Sequence, residues 1–171
     1  MKPDLEVVQI GHGQSFKAWE HGYPFHTVRW HFHPEMEIHQ VTATCGQYYV
    51  GDFIGEFVPG NLVLTGPNLP HNWISHVPEG TSIPLRSRVV QFPEDLLQRI
   101  AELFPDTGGF ADLFQSSRRG VIFSDACSER CSSILADLVH ARGPRRASLF
   151  LDLLALLAAD GEARTLASVT Y

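Results

Sequence analysis

The segment His31-Phe32-His33-Pro34-Glu35-Met36-Glu37 holds two histidines two positions apart and a carboxylate four residues beyond the second. Alternate side chains of a strand share a face, so His31 and His33 point the same way. Pro34 interrupts the strand, and Glu37 then comes from the start of the next one. Two imidazoles and a carboxylate can thus converge on one point. That donor set suits a divalent metal ion (Zn, Fe, Ni or Mn), and spacing alone does not choose among them. A fourth ligand must come from elsewhere. His71, which follows the stiff loop Gly66-Pro67-Asn68-Leu69-Pro70, is the candidate. Ligating histidines are neutral, so metal affinity is expected to fall as pH drops through the imidazole range. The other role open to these histidines is hydrogen bonding to an organic effector or to one another.

Further residues are candidates for contact with a small molecule. His39 lies two beyond Glu37 and so shares its face. Tyr49 and Trp73 could wall an apolar cavity, as could Trp30, although aromatic residues in a small barrel default to the core. Glu35, beside Pro34, reads as a supporting or solvated group. Cys127 and Cys131 are four apart on an expected helix and share one face, and buried apolar thiols are the simpler reading. Arg142, Arg145 and Arg146 surround Gly143-Pro144, a solvated turn between helices. No nucleophile–base pairing, P-loop or dinucleotide fingerprint is present.

Strands and turns must position these groups. From Leu5 to Phe92 the chain reads as short β-branched and aromatic runs at regular spacing: Thr27–His33, Glu37–Thr42, Gln47–Val50, Phe53-Ile54, Leu62–Thr65, Asn72–Ser75 and Arg88–Phe92. Gly51-Asp52 suits a type II′ hairpin turn, and Pro59-Gly60-Asn61 is another turn. This is the pattern of a small antiparallel sandwich or barrel. After Phe92 the period becomes helical. Pro93-Glu94-Asp95 opens one helix, and a weaker one runs near Phe110 to Gln115. Val121–Phe123 is a short extended piece. Ser124 caps a third helix that stops near Gly143-Pro144. The last, about Arg146 to Ala159, is apolar over more than one stripe and has surface for a partner.

The chain has 171 residues, 44% of them hydrophobic and 19% charged, enough for one domain with a real core. Thirteen basic against nineteen acidic residues leave a formal charge of −6, which argues against this chain holding a nucleic-acid backbone. Its apolar runs are too short to span a membrane, and the N-terminus carries no secretory h-region. Three cysteines make a disulfide framework improbable, and a cytoplasmic location is expected.

The blocks "WHFHPEMEIHQV", "GQYYVGDFIGEFVPGNLVLTGPNLPHNW" and "VVQF" resemble the N-terminal sensor domain of AraC-type transcription regulators, and the first two resemble the paired cupin motifs. The resemblance implies a mainly β fold: a cupin double-stranded β-helix, or jelly-roll barrel, over residues 1–93, followed by a C-terminal helical subdomain over 94–171. It implies a metal site from His31, His33, Glu37 and His71, and effector contacts from His39, Tyr49 and Trp73. It also implies a small-molecule effector, a homodimer formed through the C-terminal helices, and DNA contact only through a helix-turn-helix domain that is not in this chain. A sensor cut from a longer regulator is therefore expected, and enzymatic activity is not. The alternative is a cupin metalloenzyme, such as a dioxygenase, an isomerase or a sugar-modifying enzyme, whose open coordination positions activate O2 or polarise a carbonyl.

Overall fold

The computed structural model describes residues 2–25 and 29–169. The first half runs β1 (Asp4–Leu5), β2 (Lys17–Tyr23), β3 (His31–Phe32), β4 (Met36–Val41), β5 (Gly46–Val50), β6 (Phe53–Phe57), β7 (Leu62–Thr65), β8 (His71–Ser75) and β9 (Ile83–Phe92). The second half runs α1 (Leu96–Leu103), a 3-10 turn (Pro105–Thr107), α2 (Phe110–Ser117), β10 (Val121–Ile122), α3 (Asp125–His140), α4 (Gly143–Ala158) and β11 (Arg164–Thr165). One sheet has the order β1-β3-β8-β5-β6, the other β11-β10-β7-β4-β9-β2.

The two sheets share an apolar core made of Val41 and Val63 from one and Tyr48, Val50, Phe57 and Trp73 from the other. A larger core lies between the six-stranded sheet and the helices. There Met36, Ile38, Leu62, Leu64, Val90 and Phe92 meet Leu135, Leu138, Phe150, Leu153 and Leu154. β4 is buried along its whole length because it is covered on both sides. The two-residue period sends Met36 and Ile38 toward the helices and Glu37, His39 and Val41 between the sheets.

Local chemistry explains the element boundaries. Val50 pairs with Phe53 across a two-residue turn in which Gly51 has φ +57° and Asp52 does not enter positive φ, as a type II′ turn requires. Ser124 Oγ accepts from Cys127 N–H at 3.2 Å and caps α3. α4 begins earlier than its periodicity suggests, because Gly143 at φ +59° reverses the chain and Pro144 fits a first helical turn. The strand expected over Thr27–His33 is realised as His31–Phe32. Thr27 and Val28, and the histidine at 26, lie outside the described residues.

The chain beyond Ala159 returns to the barrel. Arg164 and Thr165 pair with Ile122 and Val121, and Ser168 bonds the Asp52 carboxylate through both N–H and hydroxyl. β10 and β11 thereby extend the six-stranded sheet beside β7. α4 spends most of its apolar surface inside its own chain. Leu149, Phe150, Leu153, Leu154 and Leu157 are buried, while Leu151 and Leu156 remain half-buried. Arg146 is no part of a solvated cluster: its guanidinium donates to the Phe16 and Leu138 carbonyls and stacks on the Phe16 ring. None of the described helices is long and apolar enough to cross a membrane.

Candidate functional site

Three strands and the segment after β3 bring the predicted ligands together. β3 pairs antiparallel with β8 at His31 opposite His71, so their imidazoles lie side by side with ring centres 4.4 Å apart. His33 follows β3, and its backbone is fastened by the Asn68 N–H donating to its carbonyl at 2.8 Å. Its ring centre is 5.0 Å from that of His71. Glu37 enters from β4, on the face between the sheets.

Each of the three imidazoles is anchored through Nδ1 to a backbone carbonyl. His31 donates to Arg29 O at 2.7 Å, His33 to Glu35 O at 3.0 Å and His71 to Leu69 O at 2.7 Å. A carbonyl can only accept, so each Nδ1 carries a proton; this leaves His71 with an unshared Nε2 lone pair, while His33, whose Nε2 also donates to Glu37, carries a second proton that a metal ion would displace. One ligand atom from each of the three lies within 4.8 Å of the others. His71 Nε2 is fully buried and has no hydrogen-bond partner. An orphaned lone pair inside a protein costs free energy unless something fills it.

Glu37 is the hub of the polar cluster. Oε2 accepts from His33 Nε2 at 3.1 Å and from Gln91 Nε2 at 2.9 Å, while Oε1 accepts from His39 Nδ1 at 3.1 Å. Burial opposes the charge on Glu37, but the bonds from His33 and His39 outweigh it and hold the carboxyl well below its ordinary range. Burial likewise opposes the charge on His33, yet the adjoining Glu37 raises its pKa above the ordinary imidazole value. His39 and His71 are pushed down by burial, His71 strongly.

Beside this cluster, between the sheets, lies a small cavity of about 50 Å³ that opens to solvent. His31, Glu37, His39 and Trp73 line it, as do Trp19, His21, Phe25, Arg86 and Gln91. His39 stacks on Trp73 with ring centres 4.1 Å apart.

Tyr49 is placed otherwise than its expected role requires. The hairpin at Gly51-Asp52 sets the register of β5 so that Tyr48 and Val50 face inward, and Tyr49, of opposite parity, bonds Gln47 away from the cavity. Trp30 does not line the cavity either. Glu35 contributes its carbonyl to His33 rather than a ligand oxygen. Cys127 and Cys131 are free thiols on one face of α3, their sulfurs 3.9 Å apart.

Several site residues escaped the sequence reading. Glu6 comes within 3.4 Å of His31 Nε2 and groups with His33 and Glu37 as a second donor set. No spacing signals it, because it arrives through the parallel pairing of β1 with β3. Gln91 and Ser87 lie opposite Glu37 and Val41 on β9, and their sharing one face of that strand was a usable sign. Arg86 carried none.

A family model described as the AraC-like ligand binding domain matches residues 15–170. No curated protein sequence matches the chain. Among solved structures, ToxT from Vibrio cholerae is similar, with TM-score 0.52 and 9% sequence identity over 83% of this chain and 54% of that one. The chain thus spans about half the length of the structure it resembles, and at that identity the likeness concerns the fold alone.

Proposed function

Because the chain belongs to the family of AraC-like ligand binding domains, we propose that it senses a small effector for an AraC-type transcription regulator, in the cavity beside the histidine cluster. We further propose that the cluster holds a divalent metal ion. The observation that carries the metal reading is the buried, unpartnered Nε2 of His71, aimed at the same point as two other carbonyl-anchored histidines. An Nδ1–H held by a carbonyl is the usual outer support of a ligating imidazole. His31, His33 and His71 would hold the ion, with Glu37 as the carboxylate within 3.7 Å of His71 Nε2. The ion would supply a Lewis-acidic contact for an oxygen or nitrogen of the effector.

The same strand that lines the cavity also supports the helices. Glu37 and His39 face the site, while Met36 and Ile38 pack in the helical core and Gln40 donates to Ser128 on α3 at 3.3 Å. An effector that shifts β4 therefore alters the packing of α3 and α4. Such coupling requires the effector to bind the two arrangements with different affinity. Homodimerisation through α4, where Leu151 and Leu156 are only half-buried, belongs to this proposal, as does DNA contact through a domain outside this chain.

The test is metal analysis of protein purified without an affinity tag, together with titration of zinc and ferrous iron into chelator-treated protein. One equivalent of bound ion supports the metal reading; an intact fold that takes up none removes it. Oxygen consumption by the iron-loaded protein would favour a cupin oxygenase over a sensor. Sedimentation at micromolar concentration decides the dimer, and a monomer with and without ion refutes it.

A further inference from the structure

Arg86 is 2% exposed and lines the cavity. Its guanidinium donates to neutral oxygens only: Nε to Ser75 Oγ at 3.1 Å, Nη1 to Ser87 Oγ at 3.2 Å and Nη2 to Trp73 O at 3.2 Å. Among the described residues no carboxylate comes within 4.0 Å of it. Two acids line the same cavity: Glu37 is already committed to His33, His39 and Gln91, and Glu6 lies against His31. A charged group buried without a counter-ion is costly, and two of the five guanidinium N–H donors are not used by these three bonds. Burial lowers the pKa of Arg86 only to about 10, so the group is a cation at neutral pH.

The walls around this cation are aromatic. Trp19, His21 and Phe25 stand together, with His21 and Phe25 stacked at 4.3 Å. His39, stacked on Trp73, meets His21 edge-on with ring centres 6.4 Å apart. Flat π-faces around a single buried cation suit a flat ring carrying a negative charge. Guanidinium binds carboxylates in two parallel hydrogen bonds, which fits the geometry of a planar acid better than that of a sugar hydroxyl.

We propose that Arg86 is the recognition group for the effector and that the effector is a small aromatic carboxylate, its ring seated against the aromatic side chains at the cavity's mouth and its charge completing the buried guanidinium. This rests on the cavity being the effector site, and it adds the ligand's class. It does not depend on the metal.

Trp19 and Trp73 line the cavity, so tryptophan fluorescence reports its occupancy. The chelator-treated chain is titrated with benzoate and with benzamide, which share a ring but differ in charge. Benzoate is expected to bind about tenfold or more tightly, the scale of one charge-assisted hydrogen bond. In Arg86→Gln, which keeps polar contacts to the serines, the preference is expected to fall to within about twofold, while Arg86→Lys retains part of it. Equal binding of the two probes to the unmodified chain overturns the role of Arg86 but leaves the cavity as an effector site. A preference that survives in Arg86→Gln overturns it as well. Failure of benzoate to bind at millimolar concentration overturns the aromatic-acid proposal, and failure of both probes also counts against the cavity as the sensing site.

Discussion

His71 Nε2, which carries a lone pair, stands 3.7 Å from the anionic Glu37 Oε1, with no hydrogen bond between them. The two residues are held at that separation from both sides. The Leu69 carbonyl fixes the imidazole through Nδ1, and His33, His39 and Gln91 fix the carboxylate. Neither can rotate to meet the other without breaking a bond it already has. The gap is thus enforced by the fold, and a third body that accepts lone pairs from both sides would satisfy both.

Removing His71 should therefore cost the ion more than it costs the fold. In His71→Ala, zinc affinity by calorimetry is expected to drop by about two orders of magnitude or more, with the circular dichroism unchanged. Gln91→Leu removes a donor from Glu37 without touching a ligand, and should weaken zinc by about 10–100-fold, the range for outer support of a metal site. Unaltered affinity in both variants would show that the cluster does not hold the ion.

His21 gives a pH signature away from the cluster. Burial depresses its pKa to about 4; His39 and Arg86 add to the depression, while the Gly22 carbonyl and Glu37 oppose it. In the unfolded chain the imidazole titrates at its ordinary value of 6.5. The unfolded state therefore binds more protons between those two values, and stability falls as pH drops from 6.5 toward about 4. His39 and His71 push in the same direction, and His33, with its raised pKa, in the opposite one. Urea melts of His21→Gln across this window should show a shallower decline than the unmodified chain; an identical slope would mean His21 is protonated equally in both states.

Gly66 supports the site from a distance. A Cβ there would meet the Ser117 carbonyl oxygen at 2.7 Å, and Gly66 N–H donates to that same oxygen at 2.8 Å. Gly66→Ala must push the loop away from the end of α2, at a cost of about 1–3 kcal/mol. The displaced loop carries Leu69, the anchor of His71. Lower stability in denaturant should be accompanied by weaker zinc binding, whereas a stability loss with full zinc affinity would separate the loop from the site.

In Leu153→Ala the core between the six-stranded sheet and α4 loses a fully buried side chain. Unfolding free energy should drop by about 2–5 kcal/mol, as for comparable truncations elsewhere. A change below about 1 kcal/mol would mean that α4 contributes little to the folded unit.

The local patterns needed no coordinates. Alternation put Glu37 and His39 on one face of β4, the Gly51-Asp52 pair set a two-residue hairpin, and Ser124 marked the start of α3, because each depends on a few neighbouring residues and on backbone geometry common to all chains. What spacing could not supply was pairing between distant strands. The register of β3 on β8 puts His31 beside His71, the parallel β1 brings in Glu6, and β9 sets Gln91 against Glu37. The same long-range packing turns Tyr49 away from the cavity and leaves Arg86 buried without a carboxylate, for burial and ion pairing are properties of which segments meet, and only the folded chain decides that.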